Sequence, residues 1–158
     1  MNNSINDWLN HTVYTIFNSQ KYKCFSDCYK EMDNLYHMIK SFINRYKYND
    51  ASFIIGISNT DSKTAMINYT NNGKRGRPKK IVTGIKVDWH IHIYVACKNT
   101  SISVFTNSLR LYLQKKKNMP FYQKKNTLCY ALPYIEKQCL YIRRYGNTFK
   151  KSLYKNIN

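Results

Sequence analysis

Between Ser26 and Tyr46 the apolar side chains Tyr29, Met32, Leu35, Tyr36, Ile39, Phe42, Ile43 and Tyr46 recur at spacings of three and four. That spacing places them on one face of a long helix, with Ser26 or Asp27 as the expected N-cap. Asn49 to Ser52 (NDAS) break the pattern. The run Ser52–Ser58 (SFIIGIS) is short and rich in β-branched residues, and it predicts a buried strand. Thr64–Thr70 predicts a second strand. Lys86–Cys97 (KVDWHIHIYVAC) is the clearest strand of the chain. Ser101–Lys117 predicts a helix with Val104, Phe105, Leu109, Tyr112 and Leu113 on one side. Leu128–Pro133 (LCYALP) suits either a strand or a helix entry, and Tyr134–Tyr145 predicts a last helix ended by Gly146. Residues 1–20 are polar and mixed, with weak helical character. Helices interleaved with strands on long connections predict an α+β domain around an antiparallel sheet of four to five strands. The reading is one domain over 1–158, with an N-terminal helical extension over 1–48 and a basic tail over 147–158.

Charge changes this picture. The 158 residues carry 26 Lys and Arg against 8 Asp and Glu, a formal charge of +18. Such an excess points to a polyanionic partner, nucleic acid first and an anionic membrane surface second. The 15 tyrosines suit base stacking as well as a core. Cys24, Cys28, Cys97, Cys129 and Cys139 are odd in number and make no paired CxxC zinc motif. With no secretion signal, they read as reduced thiols of a cytoplasmic protein, in a prokaryotic cell or an infected host. No apolar run is long enough to span a membrane, so no membrane partner is expected.

Candidate chemistry sits in the clearest strand. Alternation turns Asp88, His90 and His92 to one face and Trp89, Ile91, Ile93 and Val95 to the other. Two imidazoles about 7 Å apart along a strand can converge on one divalent ion. The plain alternative is a solvated face with two exposed histidines. His11 and His37 have no such neighbours and read as structural or surface residues. Downstream, Tyr134, Lys137 and Gln138 stand at i, i+3 and i+4, on one helix face. A tyrosine hydroxyl becomes a usable nucleophile when a cation or metal lowers the cost of its phenolate. Here the plain alternative is a packed tyrosine in a tyrosine-rich chain.

His90-Ile91-His92 followed by Tyr134-x-x-Lys137 resembles the paired motifs of the HUH endonucleases. That superfamily includes rolling-circle replication initiators, conjugative relaxases and single-strand transposases. The likeness covers roughly residues 52–146, with SFIIGIS as a loose match to the first family motif. It implies a Rep-like sheet, related to the ferredoxin-like fold, with the histidines on the side that faces the tyrosine helix. It also implies a nickase and strand transferase that uses Mn²⁺ or Mg²⁺ and forms a 5′-phosphotyrosine link to single-stranded DNA. Tyr134 would be the nucleophile and Lys137 a charge-neutralising partner. His90 and His92 would be metal ligands, with Gln138 or Asp88 as the third. Gln138 has the spacing that the single-strand transposases use. Tyr141 and Tyr145 are rival nucleophiles. No Walker motif is present, so a helicase and polymerase would come from the host. A homodimer is compatible with this reading.

The loop over 71–80 adds a second nucleic-acid signal. Lys74-Arg75-Gly76-Arg77-Pro78-Lys79-Lys80 resembles an AT-hook. A narrow A·T minor groove attracts inserted arginines, Gly76 allows close approach to its floor, and Pro78 keeps the chain extended. This implies AT-rich or hairpin duplex beside the single-stranded site. Lys115–Lys117, Lys124 and Lys125 form a further basic cluster suited to phosphate contacts. A protein with an AT-hook and no catalysis, architectural or regulatory, is the competing reading.

Overall fold

The computed structural model describes residues 11–61, 63–70 and 79–149, with only the backbone described for 67–70 and 79–80. The elements are β1 (Thr12–Phe17), α1 (Phe25–Arg45), β2 (Ala51–Thr60), β3 (Met66–Thr70), β4 (Lys79–Thr83) and β5 (Lys86–Cys97). They continue as α2 (Ile102–Lys117), β6 (Tyr122–Thr127), α3 (Leu128–Gln138) and β7 (Tyr141–Tyr145). Five strands form an antiparallel sheet in the order β6-β1-β5-β2-β7, and β3 pairs with β4 as a separate hairpin. The domain is therefore α+β, a sheet flanked by helices, as the patterning predicts.

The alternation of β5 divides the core in two. Ile93, Val95 and Cys97 face α1 and α2, joining Met32, Leu35, Ile39, Phe105, Leu109 and Leu113. Tyr94 and Ala96 face α3, joining Leu128, Ala131, Leu132 and Ile135. β2 is buried on both faces, with Phe53, Ile55 and Ile57 under α1 and Ile54 under α3. This explains why its sequence is a continuous apolar run rather than an alternating one. The N-terminal half of β5 carries His90 and His92 on the same face as Tyr94 and Ala96, and both residues are half-buried rather than buried.

Several expectations need correction. Residues 11–48 do not form a helical extension. Thr12–Phe17 is a strand between β5 and β6, with Val13 buried under α3 and Ile16 under α1 and α2. The helix that follows is an integral layer of the core, and its N-cap is Cys24 rather than Ser26 or Asp27. The last helix begins earlier and ends earlier than expected. It runs through Pro133 to Gln138, and Tyr141–Tyr145 is the edge strand β7, paired with β2. The loop over 71–80 is shorter, because Lys79 and Lys80 already belong to β4. The first described residues of the expected basic tail are packed, with Thr148 and Phe149 buried. Residues 1–10 and 150–158 of the expected extension and tail lie outside the described residues, as does most of the AT-hook-like run, Lys74 to Pro78.

Gly56 in β2 sets how close the end of α3 comes to the sheet. A Cβ there would lie 2.7 Å from the Cys139 sulfur, 3.0 Å from Cys139 Cβ and 3.2 Å from the Tyr141 carbonyl oxygen. Gly56→Ala should destabilise the fold by about 1–3 kcal/mol through this overlap. Urea titration would measure it. A Cys139→Ala background should relieve the sulfur overlap and so part of the cost, whereas an equal cost in both backgrounds would place the strain on Cys139 Cβ and the Tyr141 carbonyl.

Candidate functional site

Three elements bring the candidate side chains together. β5 presents His90 and His92, with ring centroids 4.8 Å apart. α3 presents Tyr134, whose ring centroid lies 6.0 Å from that of His92 in an edge-on arrangement. The last residue of α3, Gln138, is buried. Its Nε2 donates to the Thr60 carbonyl at 2.8 Å and lies 3.4 Å from His90 Nε2. Thr60 can accept because the β2–β5 register breaks after Ser58, where the Ser58 hydroxyl accepts from the Thr60 amide at 3.1 Å. The close approach at Gly56 and the irregular end of β2 thus fix where the Gln138 amide sits.

His90, His92, Tyr134 and Gln138 line one cleft of about 790 Å³. Two buried atoms in it, His92 Nε2 and Gln138 Oε1, have no hydrogen-bond partner among the described residues. His90 Nδ1 lies 3.0 Å from the Asp88 carbonyl. That contact favours the tautomer with its proton on Nδ1, which leaves Nε2 as a lone-pair donor. Burial pushes the His92 imidazole down to about 3, helped by the neighbouring His90 and Lys21. Burial lowers His90 as well, opposed by its contact with the Asp88 carbonyl. Both rings are therefore neutral near pH 7. Two imidazole nitrogens and an amide oxygen suit Mn²⁺ or a similar divalent ion, and an unpartnered buried acceptor is otherwise costly. Among the described residues no three His, Cys, Asp or Glu side chains converge, so a third protein donor beside the two histidines would be the Gln138 amide.

The other expected residues are divided. Asp88 borders the cleft, but its carboxylate is engaged by Lys23 at 3.1 Å. Its contribution to the site is the backbone carbonyl beside His90. Lys137 is exposed on α3 and does not line the cleft. The cations that do so are Lys21 and Lys124. Lys117, expected at phosphate, instead pairs across from α2 to Glu31 of α1 at 2.6 Å. The rival tyrosines are turned elsewhere: Tyr141 packs against Tyr29 and Tyr145 stacks on Phe53, with centroids 5.3 Å apart in each pair. His37 pairs with Asp33 on the surface of α1, and the His11 carbonyl accepts from the first amide of α3.

Sequence reasoning missed Tyr130, Asp61 and Lys21, which line the cleft together with Lys124, expected only as part of a basic cluster for phosphate. Tyr130 stands one helical turn before Tyr134 and is 71 % exposed. A helix entry placed at Leu128 would have put it on the Tyr134 face. Nothing in the sequence marks Asp61, which arrives through the turn after β2. The five cysteines, all described, form no disulfide, and no described helix is long and apolar enough to cross a membrane.

No protein-family model, curated protein or solved structure matches this chain. The site must therefore be read from its own chemistry.

That chemistry predicts an acid-sensitive fold. The folded protein holds His92 neutral down to about 3, whereas an unfolded histidine takes up its proton near 6.5. The stabilising contribution is complete above pH 6.5 and is lost as pH falls from 6.5 toward 3. At pH 4.5 the loss relative to pH 7 should reach about 2–3 kcal/mol. Urea titrations in EDTA at both pH values would measure it, and His92→Asn should flatten the difference. An equal pH dependence in His92→Asn would assign the acid sensitivity to other groups.

Proposed function

We propose that this protein is a divalent-metal-dependent DNA nickase and strand transferase of the HUH type. In this reading it opens single-stranded DNA to initiate rolling-circle-type replication of a plasmid or virus. The observation that carries the reading is the convergence of Tyr134 with His90, His92 and the unpartnered Gln138 oxygen in one cleft.

A bound Mn²⁺ or Mg²⁺, held by His90, His92 and Gln138, would polarise the scissile phosphodiester and offset the charge growing on its oxygens. Lys21 and Lys124 attract the sugar-phosphate backbone into the cleft. The Tyr134 oxygen attacks phosphorus, the bond from phosphorus to the 3′ oxygen breaks, and a 5′-phosphotyrosine link forms. The phenol gives up one proton and the departing 3′ oxygen takes one up, so the step balances. The freed 3′-hydroxyl can prime synthesis, and its attack on the phosphotyrosine reseals the strand. The AT-hook-like residues 74–80 fall between β3 and β5 along the chain, with Lys79 and Lys80 already in β4. They would grip AT-rich or hairpin duplex beside the nick.

End-labelled single-stranded oligonucleotides, AT-rich and hairpin-bearing, incubated with Mn²⁺ and resolved on denaturing gels test the proposal. The expected result is a metal-dependent protein–DNA adduct. Tight binding with no adduct across a broad substrate pool would support the architectural alternative instead.

A further inference from the structure

On the face of the sheet away from the cleft, α1 and α2 meet in a second hollow of about 810 Å³. Its floor is aromatic. The Phe42 ring centroid lies 5.1 Å from that of Tyr112 and 5.7 Å from that of Tyr48, the latter ring stacked within 17° of parallel. Its rim is cationic: Arg45, Lys115 and Lys116 line it, and no acidic side chain does so among the described residues. Arg45 lies over the ring of Tyr46 and Lys116 over that of Tyr112, at 5.7 and 5.8 Å from the centroids. Tyr46 is 52 % exposed, although it is the C-cap of a helix whose other aromatics are mostly covered.

This combination has a specific chemistry. Three cations, with no acidic side chain lining the hollow among the described residues, around exposed and half-exposed tyrosine rings match a phosphate backbone with unpaired bases. A duplex keeps its base faces stacked and could use only the charges. An acidic protein segment could use the cations but would have little use for ring faces. We propose that this hollow is a second nucleic-acid site, which takes one or two unpaired nucleotides with a base against Tyr46 or Tyr112 and phosphates at Arg45, Lys115 and Lys116. The site would hold a single strand on the back of the domain while the cleft acts on another segment. It requires neither a metal nor strand cutting, so it stands or falls independently of the nickase reading.

The test uses the full chain in EDTA, with fluorescent ten-nucleotide dT and rU strands carrying one 4-thio base. Anisotropy measures affinity and stoichiometry, and ultraviolet cross-linking with peptide mapping locates the contact. The expected result is cross-links within residues 42–48 and 108–116. The Tyr46→Ala/Lys115→Glu/Lys116→Glu protein should lose them, together with about tenfold or more of the affinity at this site. These are surface positions outside the cleft, so adduct formation on a short cleft substrate should be unchanged in that variant. Cross-links confined to the cleft peptides, or an unchanged stoichiometry in the triple variant, would overturn the proposal. Competition for the hollow by poly-glutamate or anionic vesicles, without any nucleotide cross-link there, would overturn it too.

Discussion

Tyr134→Phe is expected to abolish covalent capture of single-stranded DNA, by on the order of 10⁴-fold or more, while DNA affinity changes little. The change removes one oxygen and keeps the ring that packs edge-on to His92. Fold and cleft should therefore survive, and the loss would report the nucleophile alone. Tyr134 is 36 % exposed and lines the cleft. Tyr141 and Tyr145 are poor substitutes because their rings are committed to Tyr29 and Phe53, outside the cleft. If an adduct persists in Tyr134→Phe, Tyr130 becomes the candidate, since it is exposed in the same cleft one turn earlier. Peptide mapping of the adduct would separate the two. Loss of DNA binding together with the adduct would mean that Tyr134 holds the strand rather than attacks it.

The second large effect concerns the ion. Mn²⁺ at about a hundredfold excess over its Kd should stabilise the protein by about 2.7 kcal/mol, a rise of about 5–10 °C in Tm for a chain of this size. His90→Ala/His92→Ala should eliminate that rise, because both ring nitrogens are removed. Gln138→Ala should weaken ion binding less and should also release Thr60, whose carbonyl accepts from the Gln138 amide at 2.8 Å. Asp88→Asn should leave the metal response nearly intact, since that carboxylate faces Lys23. The measurement is a thermal melt with and without Mn²⁺, repeated by calorimetric titration. A full Mn²⁺ response in the double histidine variant would exclude this metal site. A lost response in Asp88→Asn would transfer the third donor from Gln138 to Asp88. Removal of metal by EDTA should in parallel stop adduct formation in the unaltered protein.

The two effects are linked through the architecture. Tyr134 and Gln138 are i and i+4 on α3, so one helix face carries both the proposed attacking oxygen and the proposed metal oxygen. The position of that face depends on Gly56 and on the bulge that frees the Thr60 carbonyl. A variant that shifts α3, such as Gly56→Ala, would therefore move the nucleophile and the ligand together.

Much of this was legible along the chain. Lys86–Cys97 was read as a strand with its observed limits, because a long β-branched run bounded by Gly84 and Lys98 has few other stable forms. Its period of two placed His90 and His92 on one face before any neighbour was known. The α1 and α2 helices were legible for the same reason, since their apolar stripes follow the helical period. The α+β class follows from those elements.

Tertiary contacts decided the rest. β1 is only six residues long and is covered on both faces, so Val13 and Ile16 do not alternate in the way a half-exposed strand would. The Ser26–Tyr46 stripe could not show that its helix lies on the sheet rather than beyond it. Leu132, Ile135, Cys139 and Ile142 keep helical spacing beyond the point where α3 ends at Gln138. The gap at Gly56 instead lets Cys139 seat against β2, and the chain then runs on as β7. The tertiary structure alone brought Lys21, Asp61 and Lys124 to the cleft and turned Lys137, Tyr141 and Tyr145 away from it. The sequence by itself determined which residues share a face of each element, because that depends on local backbone period. Which faces meet was decided only by packing, because it depends on contacts between residues far apart in the chain.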